Sequence, residues 1–555
     1  MAEMRRPVLA LVLLASVTFF LGLGRPAITD RDEAYYAEAA REMVESGDWL
    51  TPHFNYEDRW QKPILYYWLT ATVYQVTGPT EAAARVWSAL SAVGLVLLTF
   101  AIARDTQSPS GHSTHAAWLA AAITATCFGY FAEARQALPD LPLTFCITLA
   151  IWMAFRQRWP IAGVAVGLGF LMKGPVAVVV PALVFLPIWW RERSTIRIDW
   201  RAVGLGIVLF VAIGIPWYAA MTLAHGRAYL DSFFVGDNLQ RFATSRFAGR
   251  TSSSWWFYGP ILLGGLIPWT PLAVTMLVAR VWSAGRPEGR PLRLTGFTTE
   301  EWRLMLWAVM PVLFFSLSLG KQPRYILPVL PPLAILLAAA MRRRIESTQL
   351  RQPALMVGTL ATAVLFALTA LLLMRARSLF VSSYEPITTL ALSALFAWAA
   401  ALTGLAIAKS WKRVPVAMVL ASATLLLALQ FGALSGARPE PVERLVRLLG
   451  AYRVSNEATG VCNVFVRNLV FYARSRLEGD LCGVDLSRAI AFLQLPDRVF
   501  LVASERDVAG LRASGVTARE LGRILYVDTS SIKLGALLWP DPDRDIEAIL
   551  LVTNK

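Results

Sequence analysis

The chain has 555 residues, of which 56% are hydrophobic and 16% charged, with 20 Trp and a mean hydropathy of +0.50. An average soluble domain carries about 25% charged residues, and repeated apolar runs of roughly 20 residues are each long enough to cross a bilayer. A soluble globular protein is excluded, and an α-helical polytopic membrane protein is expected. The net charge of +15 does not imply a nucleic-acid partner, because the basic residues sit mainly in short loops between apolar runs, as the positive-inside rule requires.

In chain order, Met1–Arg6 is a short basic lead and Pro7–Leu23 the first apolar segment. Gly22–Ile28 lacks a clear small-x-small cleavage site, which favours a retained first span over a signal peptide. A polar island, Thr29–Trp68, follows and carries nine carboxylates: Asp30, Asp32, Glu33, Glu38, Glu42, Glu45, Asp48, Glu57 and Asp58. Within it Ala34–Ser46 favours helix, with Asp30 or Asp32 as its cap. Apolar residues at Tyr36, Ala39, Ala40 and Met43 suggest a helix lying on the membrane with Glu38, Glu42 and Glu45 on a wet face.

Further apolar segments run over Ala83–Ala103, Ala116–Ala132, Leu141–Phe155, Ile161–Leu171, Val176–Trp190 and Val203–Ala224. Trp256–Val278, Trp302–Leu319, Tyr325–Met341, Pro353–Met374, Ile387–Ala408 and Val414–Leu434 complete a set of about 13 transmembrane helices, uncertain by one or two where short segments are re-entrant. Arg156 and Arg158, Arg191 to Arg201, Arg342 to Arg344 and Lys409 to Arg413 all fall on the side of Arg5 and Arg6. That side is cytoplasmic by the positive-inside rule. The island, the Glu133–Asp140 loop, the His225–Ser254 loop, the Lys321–Arg324 turn and the C-terminus then lie on the outer side. Residues 1–435 form the expected transmembrane domain, and 436–555 a small soluble extracytoplasmic α/β domain. In that domain Val461–Val466, Val499–Ala503 and Ile524–Val527 read as strands and Asp507–Ser514 as helix. A Cys462–Cys482 disulfide is permitted outside the cytoplasm, but spacing does not decide it.

The chemistry-bearing residues lie at outer span ends. Asp32 and Glu33 stand where the chain leaves the bilayer, and Asp140 opens a span between two prolines, where an N-cap role is equally compatible. Arg135 is placed to pair with one of these carboxylates. Lys62, Lys173, Arg241, Lys321 and Arg324, with Tyr325, are outer-face groups that run against the charge bias. A lipid phosphate would account for several of these cations together, and interfacial snorkelling for any single one. With no His/Cys cluster, no bound metal is expected.

These residues also form an ordered set of motifs: Asp32-Glu33-Ala34-Tyr35-Tyr36-Ala37-Glu38, Gly47-Asp48-Trp49, Lys62-Pro63, Arg135…Asp140-Leu-Pro-Leu and Gly167-Leu-Gly-Phe-Leu-Met-Lys173-Gly-Pro. Pro216-Trp217-Tyr218, Arg241-Phe242, Pro268-Trp269, and Phe314-Phe-Ser-Leu-Ser with Lys321…Pro323-Arg-Tyr325-Ile-Leu-Pro follow. The pattern resembles the aminoarabinose transferase and protein O-mannosyltransferase group of GT-C-type integral-membrane glycosyltransferases, over about Ile28–Pro328. The resemblance implies a sugar taken from a polyprenyl-phosphate (undecaprenyl-phosphate) donor and passed to an acceptor at the outer face of a bacterial inner membrane. In the aminoarabinose branch, 4-amino-4-deoxy-L-arabinose goes to a lipid A phosphate. It implies Asp32 and Asp140 as catalytic residues and Lys62 and Tyr325 around the donor phosphate; Glu33 beside Asp32 is a further catalytic candidate, and Arg241 and Lys321 are further candidate donor-phosphate cations by their place at outer span ends. Tyr36, Arg59 and Arg135 are the expected substrate contacts.

Two departures bear on substrate identity: Tyr35 stands where that branch carries Arg, and Gln61 where it carries an acid before Lys-Pro. Loss of the acid removes one potential metal ligand, so no cofactor is assigned and a divalent cation stays open. Transfer of a hexose or mannose to another glycolipid or protein is the alternative on the same fold. A lipid transporter or sensor is the second, but transporters place ionisable groups at mid-membrane, whereas these acids cluster at span ends.

Overall fold

The computed structural model describes the chain apart from residues 1, 107–112, 196, 241–242, 245–253, 285–297, 348–351, 380–384, 435–439, 455–456 and 528–533. Helix α1 (Ala2–Phe20) leads into α2 (Asp32–Ser46) and a two-residue hairpin, β1 (His53–Phe54) with β2 (Glu57–Asp58). Then come α3 (Leu65–Thr77), α4 (Glu81–Thr106), α5 (Ser113–Ala125), α6 (Phe128–Ala134), α7 (Asp140–Phe155), α8 (Trp159–Lys173), α9 (Val176–Glu192), α10 (Trp200–Gly214) and α11 (Pro216–Leu230). A π-helical segment, Asp231–Gln240, continues from α11.

The protein is a multi-pass membrane protein, although fewer spans meet length and hydropathy than the 13 expected. Among the described residues five helices are long and apolar enough to cross a bilayer, or eight if each bent pair counts once. The expected span Trp256–Val278 is two pieces, Tyr258–Gly265 and Thr270–Trp282, bent by 115°. The segments α7 and α8 are apolar but only 16 and 15 residues long. Leu205, Ile207, Val208, Val357, Val364, Leu368 and Leu390 expose apolar side chains as lipid-facing positions do. Trp190, Trp200 and Trp282 stand exposed at the basic ends of helices, as in an interfacial aromatic belt.

One helix crossing, α8 on α10, depends on the absence of side chains on both partners. At Gly163 of α8 an added Cβ would strike the Gly206 backbone of α10, and at Gly206 it would meet the Trp159 carbonyl at 2.6 Å. Backbones in contact at small residues are how membrane helices gain packing energy without a hydrophobic driving force.

Helix α2 differs from its expected form. It starts at Asp32, its N-cap is Arg31 without a side-chain cap bond, and it stops at Gly47 (φ 72°), whose N–H bonds the Met43 carbonyl. Asp30 is not the cap, because its carboxylate is engaged by the C-terminal sheet described below. Nor is there a wet face at Glu38 and Glu42, which are 0% and 2% exposed; only Glu45 is open. Arg41 ties Glu38 (2.6 Å) to Glu45 (2.5 Å), and the Tyr56 N–H donates to Glu42 at 2.9 Å. Burial and the adjacent Glu38 push the Glu42 carboxyl up to about 8.

The C-terminal sheet contains β3 (Thr459–Cys462), β4 (Glu478–Asp480), β5 (Phe500–Ser504), β6 (Arg519–Tyr526) and β7 (Glu547–Thr553) in the order β4-β3-β5-β7-β6. The first three are parallel, and β7 lies antiparallel between β5 and β6, pairing Val502 with Leu551. Val461, Phe500, Val502 and Leu551 pack against Leu445 and Leu449 of the helix Pro441–Tyr452. Leu501, Val508, Leu511 and Val552 form the core on the opposite face. Cys462 and Cys482 are joined as a disulfide.

This sheet is fastened to the island. Asp30 accepts the backbone N–H groups of Val466, Arg467 and Asn468 at 3.0, 2.6 and 3.0 Å. Tyr472 Oη accepts the Ile28 N–H at 2.8 Å, and Asn55 exchanges two bonds with the Leu477 backbone.

Candidate functional site

Asp32 and Glu33 are adjacent on α2, and a helix turns about 100° per residue, so their side chains part company. Glu33 is 1% exposed and points into the protein. It pairs with Arg85 of α4 at 2.7 Å and accepts the N–H groups of Ala137 at 2.8 Å and Thr29 at 2.9 Å. Arg85 donates on to the carbonyls of Leu23, Pro26 and Ala27. Burial raises the Glu33 carboxyl, but Arg85 and these N–H donors outweigh it and hold it below its usual range. Glu33 lines no part of the cavity described next; it knots α2 to α4 and to the loop before α7.

Six expected residues, Asp32, Tyr36, Arg59, Lys62, Asp140 and Tyr325, line one polar chamber. Its other walls include Tyr35, Gln61, Lys173, Asp237 and Arg324. The chamber shares Gln61, Lys62, Asp140, Lys173, Asp237, Arg324 and Tyr325 with an apolar cleft that continues between Leu143 and Ile147 of α7, Val176 and Val180 of α9, and Phe314 and Phe315. Local sequence explains the convergence. Helix α7 starts at Asp140 directly after Pro139, and α8 ends at Lys173 because Gly174 (φ 76°) and Pro175 turn the chain into α9. A Cβ at Gly174 would also meet the Phe233 ring at 2.9 Å.

The shared wall is a run of ion pairs. Lys173 Nζ lies 2.5 Å from Asp140 Oδ1, and Arg324 Nε lies 3.3 Å from Asp140 Oδ2. Arg324 also donates to Asp32, and Lys62 to Asp237. Lys173 sits 5.0 Å above the Tyr325 ring. Burial raises the Asp32 carboxyl, yet Arg324, with Lys62 and Lys173, holds it below the ordinary carboxylate value. Tyr36 stacks on Tyr67 at 5.2 Å, and Arg59 donates to Tyr67 Oη at 3.3 Å. An anion entering here competes with carboxylates for cations that are already aligned, and an apolar chain attached to it has the cleft to occupy.

Two further expected site residues take other positions. Arg135 is absent from the chamber wall and donates to the Thr18, Phe19 and Leu21 carbonyls at the end of α1, where a cation complements the helix dipole. Lys321 is 6% exposed, and its neighbours Gly320 and Gln322 line the cavity where it does not; burial lowers its pKa. Arg241 lies outside the described residues. Asp237 went unnoticed in the sequence, although an outer-face cation such as Lys62 calls for a nearby acid. Lys173 and Arg324 were visible as outer cations, but not as partners of Asp140 and Asp32. No group of three or more potential His, Cys, Asp or Glu ligands gathers among the described residues. The neutral Gln61 amide on the chamber wall does not supply the missing carboxylate, so the residues present do not fit a metal.

A family model described as dolichyl-phosphate-mannose-protein mannosyltransferase matches residues 9–226. The undecaprenyl phosphate-alpha-4-amino-4-deoxy-L-arabinose arabinosyl transferase of Pseudomonas aeruginosa is 33% identical over 417 residues, covering 72% of this chain and 71% of that protein. Arabinosyl transferase 2 of the same description from Pseudomonas fluorescens is 35% identical over 366 residues, covering 63% of this chain and 58% of that one. The chain thus matches about three fifths of the length of the Pseudomonas fluorescens relatives. Among solved structures, ArnT from Cupriavidus metallidurans bound to undecaprenyl phosphate superposes with a TM-score of 0.71 at 20% identity, over 99% of this chain and 98% of that one. The archaeal oligosaccharyltransferase AglB from Archaeoglobus fulgidus gives 0.52 at 12% identity, over 98% and 75%. These two likenesses show the shared GT-C-type fold, multi-spanning with a small C-terminal α/β sheet.

Proposed function

This chain belongs to the family of undecaprenyl phosphate-aminoarabinose arabinosyl transferases, and from that premise we propose that it is a membrane glycosyltransferase. It moves 4-amino-4-deoxy-L-arabinose from an undecaprenyl-phosphate donor to a phosphate of lipid A. The observation that carries this reading is the joined cavity, in which a polar chamber walled by three acid–base pairs opens into an apolar cleft. Its shape suits a sugar phosphate on a prenyl chain. Residues 1–435 would form the transmembrane domain and 436–555 the outer one. The site and sheet would face the periplasm of the inner membrane, with the N-terminus in the cytoplasm. The disulfide supports that side, since disulfides persist in oxidising compartments.

In the reaction an oxygen of the acceptor phosphate attacks the anomeric carbon. The bond from that carbon to the donor phosphate oxygen breaks, and its electron pair leaves with undecaprenyl phosphate. The leaving phosphate gains charge, which Lys62 and Arg324 neutralise from fixed positions while Tyr325 donates a hydrogen bond. A phosphate acceptor is already nucleophilic, so Asp32 orients it and keeps Arg324 in place; for a hydroxyl acceptor the same carboxylate is the base. Direct displacement inverts the anomeric centre.

Lipid A mass spectra from cells with and without the protein test the proposal. An added pentosamine mass is expected. A hexose mass would redirect the sugar assignment, and an unchanged spectrum would remove lipid A as the acceptor.

A further inference from the structure

One wall of the polar chamber is held from outside the membrane part of the chain. Tyr35 and Arg59 both line the chamber, and the Tyr35 ring lies between two guanidinium groups. Arg59 is 3.9 Å from its centroid and Arg467 is 5.6 Å away. Arg467 comes from the C-terminal sheet module, 432 residues along the chain, and its Nε donates to Tyr35 Oη at 3.1 Å. Its Nη1 reaches the Asp30 carbonyl at 3.4 Å, and its own N–H is held by the Asp30 carboxylate at 2.6 Å. Asp30 thus grips the Arg467 turn two residues before Asp32 enters the chamber.

We infer that Arg467 is a positioning residue for acceptor recognition. It fixes the Tyr35 ring, the ring fixes Arg59 by cation–π contact, and the chamber presents a preset cation to a phosphorylated acceptor head group. This rests on the phosphate-acceptor reading above. The acceptor is favoured over the donor because Tyr35 and Arg59 line the polar chamber and not the apolar cleft, whereas Lys62 and Tyr325 line both. The C-terminal module is then part of the acceptor site. Losing Arg467 does not release the module, because Tyr472, Asn468 and Asn55 anchor it independently.

The test uses the full chain in lipid nanodiscs with Arg467→Ala, Arg467→Lys, Tyr35→Phe and the Arg467→Ala/Tyr35→Phe double variant. Binding of bis-phosphorylated lipid A and of undecaprenyl phosphate is measured apart from turnover. Arg467→Ala is expected to weaken lipid A binding, and raise its KM, about tenfold, the worth of one charge-assisted hydrogen bond. Undecaprenyl phosphate binding stays unchanged, and kcat moves less than about threefold. Tyr35→Phe reproduces part of the loss, the double variant is no worse than Arg467→Ala, and Arg467→Lys recovers part of it. Equal weakening of both lipids, no weakening of either, or additive losses would overturn the inference. Failure of the unmutated chain to transfer sugar, with the binding pattern intact, would instead overturn the proposed function.

Discussion

Two neighbouring ion-pair systems in this protein are built from the same residue types and behave as opposites. In the Glu33–Arg85 knot both side chains are at most 1% exposed and a carbonyl or N–H meets nearly every polar atom. In the chamber the Asp32 side chain is 46% exposed and Arg324 divides itself between Asp32 and Asp140. A saturated pair has nothing to offer a ligand, and breaking it leaves a buried charge. A pair that shares one guanidinium between two carboxylates beside open space is set to exchange partners when an anion arrives. Hydrogen-bond saturation, more than residue type, separates the structural acid from the one proposed to react.

The strongest break in that comparison is Asp32→Asn, expected to cut sugar transfer by about 10²-fold through lost orientation of the acceptor and of Arg324, while thermal unfolding in detergent stays close to wild type. Retained transfer would remove Asp32 from the chemistry. Glu33→Gln should do the reverse, costing about 3–5 kcal/mol of stability by leaving Arg85 uncompensated. An unfolding midpoint within a degree or two of wild type would show that the knot is dispensable. Lys62→Met is milder, raising the donor KM about tenfold by loss of one charged phosphate contact, with lipid A binding unchanged. A shift confined to the acceptor would reverse the assignment of the two arms.

An effect small at any one pH step concerns Glu42, whose carboxyl sits at about 8 in the folded chain against 4.5 ordinarily. Between those values the folded state holds a proton that the unfolded state has lost, so stability declines as pH rises, by at most about 1.4 kcal/mol per pH unit. Glu42→Gln should flatten unfolding midpoints measured from pH 5 to pH 8, and an unchanged slope would remove Glu42 as its source. Asp32 has the opposite sign. Its lowered pKa keeps its pairing intact above the ordinary 3.8, to be lost only as pH falls through the lower folded value.

Much of the site is legible in the sequence because membrane topology sorts residues by side. Asp32, Lys62, Asp140 and Tyr325 stand out as polar groups at span ends that the charge bias puts on one side, and they meet around one chamber. Asp237 does not stand out, because it is one of two acids, with Asp231, in a long expected loop and gains meaning only when the π-helical segment brings it to Lys62. The wet face of α2 was misread for a related reason. Helical periodicity shows that Glu38 and Glu42 share a stripe, but not that Arg41 and the Tyr56 hairpin will cover it. In the C-terminal sheet, β5 was readable as an isolated apolar strand. Strand β7, between β5 and the edge strand β6, went unread, since its run Ala548–Val552 takes its place only through antiparallel pairing with both.

The glycine crossing of α8 and α10 has a mechanical consequence. Helix α10 leads across a 40° bend into α11 and its π-helical continuation, which ends at Gln240 and carries Asp237. The partner Lys62 needs is therefore mounted on the far arm of a lever whose fulcrum is the Gly163–Gly206 contact. A single methyl group added at that fulcrum would tilt the lever and shift Asp237 against Lys62 in the chamber wall.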